Sequence, residues 1–297
     1  MSQKMILVGL IVLSTALSSS AGWEYSAVTR AEGSSQHSEM MNNQMTSWVD
    51  GGNAKVEFTR SGNPMMPAGS FAVTKDGGKT MLMVDPSKKT YSKWDMAGMA
   101  GMAGGAMQMM NMKMSTPKVE KLLEEQGGKI AGFATTHYRF RTSYTTDMEF
   151  MGMKQSISTV TEEDLWASPE LNEAGLNAWM NQQGAKTGSE QLDKLIKAEM
   201  EKVKGFPLKR IVTTTTKESG GEPQVMKITT EVTSIKKASP AGALFEVPAG
   251  YREAPLFSPV MDEERSSRGK RGQAPSSSGS ADENPLLKIM QEMNKGK

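Results

Sequence analysis

The chain has 297 residues, with 35 Lys and Arg against 33 Asp and Glu, and a formal net charge of +2 sets up no strong field for nucleic acid. It holds no Cys and two His, His37 and His137, which excludes disulfides, thiolate metal sites and thiol catalysis and leaves almost no material for a His-based zinc site or hydrolytic triad. Methionine is the outlier, with 26 residues.

The N-terminus reads as a secretory signal. Lys4 supplies the positive start, Met5 to Leu17 is an apolar run too short to span a bilayer, and Ser19 and Ala21 are small residues at −3 and −1 of a cleavage site. The expectation is an exported, periplasmic and soluble protein that begins at Gly22. From Trp23 to Trp94 the pattern is strands and tight turns. Ala54, Val56 and Phe58 alternate with Lys55, Glu57 and Thr59 after the turn cluster Asp50-Gly51-Gly52-Asn53. Lys75 to Lys79 separates Phe71–Thr74 from Met81–Val84, and Asp85-Pro86-Ser87-Lys88 forms a type I turn into Thr90–Trp94.

Between Met96 and Met114 the composition changes to Met, Ala, Gly, Gln and Asn. Glycines at 98, 101, 104 and 105 each weaken a helix by about 1 kcal/mol relative to Ala. This segment is predicted to be a mobile apolar insertion, a partly helical flap. A helix is predicted next, capped by Thr116 with Pro117 in its first turn, striped by Val119, Leu122 and Leu123, and stopped by Gly127. Strands follow at Lys129–Thr142 and Gln155–Thr161. A second helix opens at Ser168-Pro169-Glu170 and carries Leu171, Ala174, Ala178 and Trp179. A third opens at Ser189 with Leu192, Leu195, Ile196, Met200 and Val203 on one stripe before Gly205. Strands Leu208–Lys217 and Gln224–Ile235 close the domain, ahead of Leu244–Pro248. The segment 260–285 has the composition of a disordered linker, and 286–297 places Leu286, Leu287, Ile289, Met290 and Met293 on one face of a short amphipathic tail. The tail is expected to dock on an apolar groove of this protein or of a partner, with a tethered plug as one reading and a disordered terminus with an accidental stripe as the other.

Trp23-Glu24-Tyr25, the run Lys75–Tyr91 (KDGGKTMLMVDPSKKTY), Glu163-Asp164-Leu165-Trp166, Gly205-Phe206-Pro207-Leu208 and Phe245-Glu246-Val247-Pro248-Ala249-Gly250-Tyr251 together resemble the exported LolA-like superfamily of lipoprotein carriers. The chain looks closest to an uncharacterised domain-of-unknown-function family of that shape. The resemblance covers roughly Trp23 to Glu253. It implies an α+β fold in residues 22–259: a curled antiparallel sheet, an unclosed half-barrel, covered by about three helices and enclosing an apolar lumen that takes acyl chains. Strands with one apolar face and three amphipathic helices fit such a two-layer arrangement.

No nucleotide-binding glycine motif, nucleophile elbow or HExxH stands in the chain. Glu162-Glu163-Asp164 reads as a solvated strand end and His137 as a residue on a strand face. The reading is therefore a non-enzymatic binding protein for lipid, lipoprotein or another apolar ligand, with Met99, Met102, Met107 and Met110 as flap candidates for ligand contact. A copper alternative stays open. Thioether sulfur is a soft ligand for Cu(I), and Met96, Met99, Met102, Met107, Met109, Met110, Met112 and Met114 supply it, with His37 near Met40, Met41 and Met45 as a further donor. An envelope scaffold recruited through its tail is the third alternative.

Overall fold

The computed structural model describes residues 22–33, 38–95, 98, 111–150, 153–171, 193–194, 197, 201 and 203–255. They build one sheet. Its strands are β1 (Gly22–Gly33), β2 (Asn43–Asp50), β3 (Asn53–Ser61), β4 (Phe71–Thr74), β5 (Thr80–Asp85), β6 (Thr90–Asp95), β7 (Lys113–Met114), β8 (Lys118–Ile130), β9 (Phe133–Phe150), β10 (Met153–Ser168), β11 (Phe206–Glu218), β12 (Gln224–Ala238) and β13 (Arg252–Glu253). The order is β13-β6-β5-β4-β3-β2-β1-β12-β11-β10-β9-β7, with β8 also on β9, so the path is not closed. All pairings are antiparallel except β13 with β6.

The turns do what their residues demand. Gly51 takes φ 58° between β2 and β3, and Ala131 and Gly132 take φ 49° and 89° between β8 and β9. Between β4 and β5, the Asp76 carboxylate accepts the Thr74 hydroxyl at 2.9 Å and the Thr80 N–H at 3.0 Å. Partial burial works against its charge, but the Thr80 and Thr74 hydrogen bonds outweigh it and hold the carboxyl below its ordinary range.

The unclosed antiparallel sheet matches expectation; its helical cover does not. The segment expected to be a helix from Thr116 to Gly127 is the edge strand β8, whose cross-strand pairing with β9 overrides local helix propensity. Two bulges, at Leu122 and Gly127, disguise it. Val119 pairs with Thr142 and Leu123 with Arg139, so they lie on opposite faces, and Leu122 is 48% exposed. The i, i+3, i+4 apolar spacing never shared a face. The helix expected at Ser168 is represented by the single 3-10 turn Pro169–Leu171, and Ala174, Ala178 and Trp179 lie outside the described residues. Of the third helix, Asp193, Lys194 and Lys197 have helical backbone, and the Glu201 N–H donates to the Lys197 carbonyl at 2.9 Å; Leu192, Leu195, Ile196 and Met200 lie outside the described residues. Among the described residues this is a nearly all-sheet protein, and the α+β reading with about three covering helices is corrected accordingly.

The main core sits on one face of the sheet. Trp23, Tyr25 and Ala27 of β1, Val49, Ala54 and Val56 of β2–β3, and Met81 of β5 share a cluster with Leu171, Phe206 and Leu208. Ile130 and Phe133, flanking the β8–β9 turn, pack on the same cluster. An open sheet face would leave Tyr25 half exposed; it is 3% exposed because the Phe206 ring meets it edge-on at 5.5 Å. The opposite face of β4–β6 is covered by the chain's return: Val247 and Tyr251 pack on Phe71, Val73 and Val84.

Candidate functional site

Register sorts the long strands β9–β12 into two chemically different faces, because side chains alternate and paired residues point the same way. One face reads Tyr144–Thr159–Thr216, Thr142–Thr161–Thr214–Met226 and Phe140–Glu163–Val212–Ile228 across successive strands. At one end it carries a second, smaller core cluster of Tyr138, Phe140, Leu165 and Ala167, in which Tyr138 and Leu165 are each 1% exposed. One hydroxyl pair bridges β10 and β11, Thr161 Oγ1 to Thr214 Oγ1 at 3.4 Å. Thr146 and Thr159 are buried, while Thr142, Tyr144, Ile157, Thr214 and Ile228 are half-buried. Its charged pair is Glu163 with Arg210. Methyl, aromatic and thioether surface suits an apolar ligand better than an ionic one.

The other face is ionic. Its rows read Glu125–His137–Trp166–Lys209–Glu231 and Glu120–Arg141–Glu162–Thr213–Lys227. Asp164 lies at its centre, 19% exposed in its side chain, accepting from Arg139 Nε at 2.7 Å and standing 2.6 Å from His137 Nε2. Its hydrogen bond and charge push the Arg139 guanidinium still further towards the protonated form. The imidazole stacks on Trp166 with centroids 4.2 Å apart and planes at 3°, and Glu125 of β8 stands 3.5 Å from Nδ1. Lys209 lies over the same indole at 5.6 Å. A His–Asp pair invites a catalytic reading. Among the described residues, however, no hydroxyl bonds the ring, and the nearby Thr135 hydroxyl donates to the Gly128 carbonyl. His137 therefore binds the edge strand to its neighbours.

The sequence-predicted residues fall unevenly on this plan. Met114 lies on β7 opposite Thr146, at the margin of the apolar face, and Met112 is half-buried just before it. Met96, Met99, Met102, Met107, Met109 and Met110 lie outside the described residues, as does His37. No group of three or more His, Asp or Glu able to hold a metal stands among the described residues. Met45 packs against the main core. Glu162, Glu163 and Asp164 are not at a solvated strand end. They occupy the body of β10 on alternating faces, and each has a cross-strand Arg: Arg141, Arg210 and Arg139. Sequence reasoning misses the threonine-lined face as a site; of the run Thr213-Thr214-Thr215-Thr216, only Thr214 and Thr216 lie on it.

Among curated proteins none matches the chain. A solved structure described as PNGF-II in a C2 space group is similar over 79% of this chain and 31% of its own, at 10% identity and a TM-score of 0.28. The chain thus spans about a third of that protein's length, and a likeness so slight carries no argument about fold or activity. The expected likeness to lipoprotein carriers is not shown by these comparisons; the unknown-function family is. The family model described as Domain of unknown function (DUF4412) matches residues 34–251, from just before β2 to the segment that packs back on β4–β6. The chain is a member of the DUF4412 family.

Proposed function

We propose that this is an exported, non-enzymatic binding protein that holds a lipid or another apolar ligand on the threonine-, tyrosine- and methionine-lined face of β9–β12. The observation that carries the reading is the separation of the two faces. Within the same four strands, one face places Phe140, Thr142, Tyr144, Ile157, Val212 and Ile228 together around the single Glu163–Arg210 pair, while the other sets carboxylates against His and Arg in the three neighbouring rows of His137, Arg139 and Arg141. A strand exposed to water on both sides has no need of such segregation. The open strand order supports the same reading, since a long ligand can lie along an unclosed sheet without entering a sealed core. The signal-like N-terminus fits export.

The test is a titration of delipidated full-length protein with a fluorescent fatty-acid probe. Saturable binding, displaced by unlabelled fatty acid, is expected. A linear, non-displaceable response would overturn the proposal.

A further inference from the structure

We infer a second site, for a soft monovalent cation of the Cu(I) type, built by the thioethers of Met40, Met41 and Met65 at the β1–β2 and β3–β4 connections. It is independent of the apolar-ligand reading and lies on different residues. Of the five large apolar side chains exposed among the described residues, these three methionines are the majority, at 38%, 38% and 59%. Met40 and Met41 come from one turn, and Met65 from the connection whose first residue, Gly62, the backbone clamps against that turn. Met40 and Met41 belong to the 3-10 turn Glu39–Met41, closed by Met41 N–H to Ser38 O and Asn42 N–H to Glu39 O, both 3.1 Å. Asn42 then anchors that turn in two directions. Its side-chain oxygen accepts the Ala31 N–H at 2.8 Å and its carbonyl accepts the Gly62 N–H at 2.8 Å.

Gly62 makes the juxtaposition possible. A Cβ there would fall 2.0 Å from the Glu39 carbonyl oxygen and 3.4 Å from the Met40 Cα, so the β3–β4 connection lies directly against the methionine turn. The next residue, Asn63, fixes the following turn by accepting the Met65 N–H on its side chain at 2.9 Å and the Met66 N–H on its backbone at 3.1 Å. The backbones are thus held while the unbranched thioether side chains stay in solvent. Thioethers are neutral, soft donors that prefer Cu(I) over the hard divalent cations that carboxylates take. A chain without Cys offers no thiolate to outcompete them.

The experiment uses the full chain labelled with 13C at the methionine methyl groups and titrated with Ag(I), a redox-inert ion of the same softness. The Met40, Met41 and Met65 methyl resonances, assigned by single Met→Leu variants, are expected to move along one common saturation curve. No movement of these three through one equivalent, or three unrelated curves, would overturn the proposal. In a second arm, M40L/M41L/M65L should lose one equivalent of Cu(I), or about tenfold in affinity, in competition with a chromophoric chelator under reducing conditions. Unchanged stoichiometry and affinity in a variant with native circular dichroism would overturn it equally.

Discussion

Gly127 shows how much one position carries. It is the extra residue of the second β8 bulge, and a Cβ there would stand 2.5 Å from Thr135 Oγ1, 2.6 Å from Trp166 Cδ1 and 3.1 Å from the His137 nitrogen. The absence of a side chain lets the edge strand close over the His137–Trp166 stack, which in turn orders Asp164 and Arg139. Gly127→Ala is expected to cost about 1–3 kcal/mol by overpacking. Urea denaturation should show the loss, along with faster amide exchange in β8. A stability equal to the natural protein's would mean that the strand lies less tightly than described. Gly127 was legible in the sequence only as a stop signal. Its neighbours across the sheet, at positions 135, 137 and 166, are set by register, which no local pattern carries.

At the scale of elements, the strands were legible wherever turn chemistry and alternation agreed. Phe71–Thr74 is β4, and the β5–β6 turn at Asp85–Lys88 is held by the Asp85 carboxylate accepting the Ser87 N–H at 3.0 Å. The misreading came at β8, where bulges shift the two-residue period and counterfeit a helical one. The two readings separate at Leu122. On a packed helical stripe, Leu122→Lys would cost several kcal/mol; at an exposed bulge it should change stability by about 0.5 kcal/mol or less. A thermal melt decides between them, and a large loss would contradict the edge-strand assignment. The carboxylates of β10 teach the complementary lesson. Three acidic residues in a row look like a solvated end, yet alternation sends Glu163 to one face and Glu162 and Asp164 to the other, each to its own Arg.

The whole molecule is organised by the contrast between its two faces. The ionic face is built of cross-strand pairs, individually worth little at exposed positions but together fixing register across β8–β10. The other face carries methyl, aromatic and hydroxyl surface beside a core cluster of its own, Tyr138, Phe140, Leu165 and Ala167. The sequence held this contrast in its alternation but could not say which strands would lie side by side. That choice rests on pairings such as β1 with β12, which join residues about 200 positions apart. The most direct test of the account compares two neighbouring threonines of β11. Thr214 pairs with Thr161 on the apolar face, Thr213 pairs with Glu162 on the ionic face, and both are half-buried. The measurement is the dissociation constant of the fatty-acid probe for Thr214→Lys and Thr213→Lys, each in the full chain. The account predicts a loss of about tenfold or more, some 1.4 kcal/mol, for Thr214→Lys and natural affinity for Thr213→Lys. Equal affinities in the two variants would contradict it.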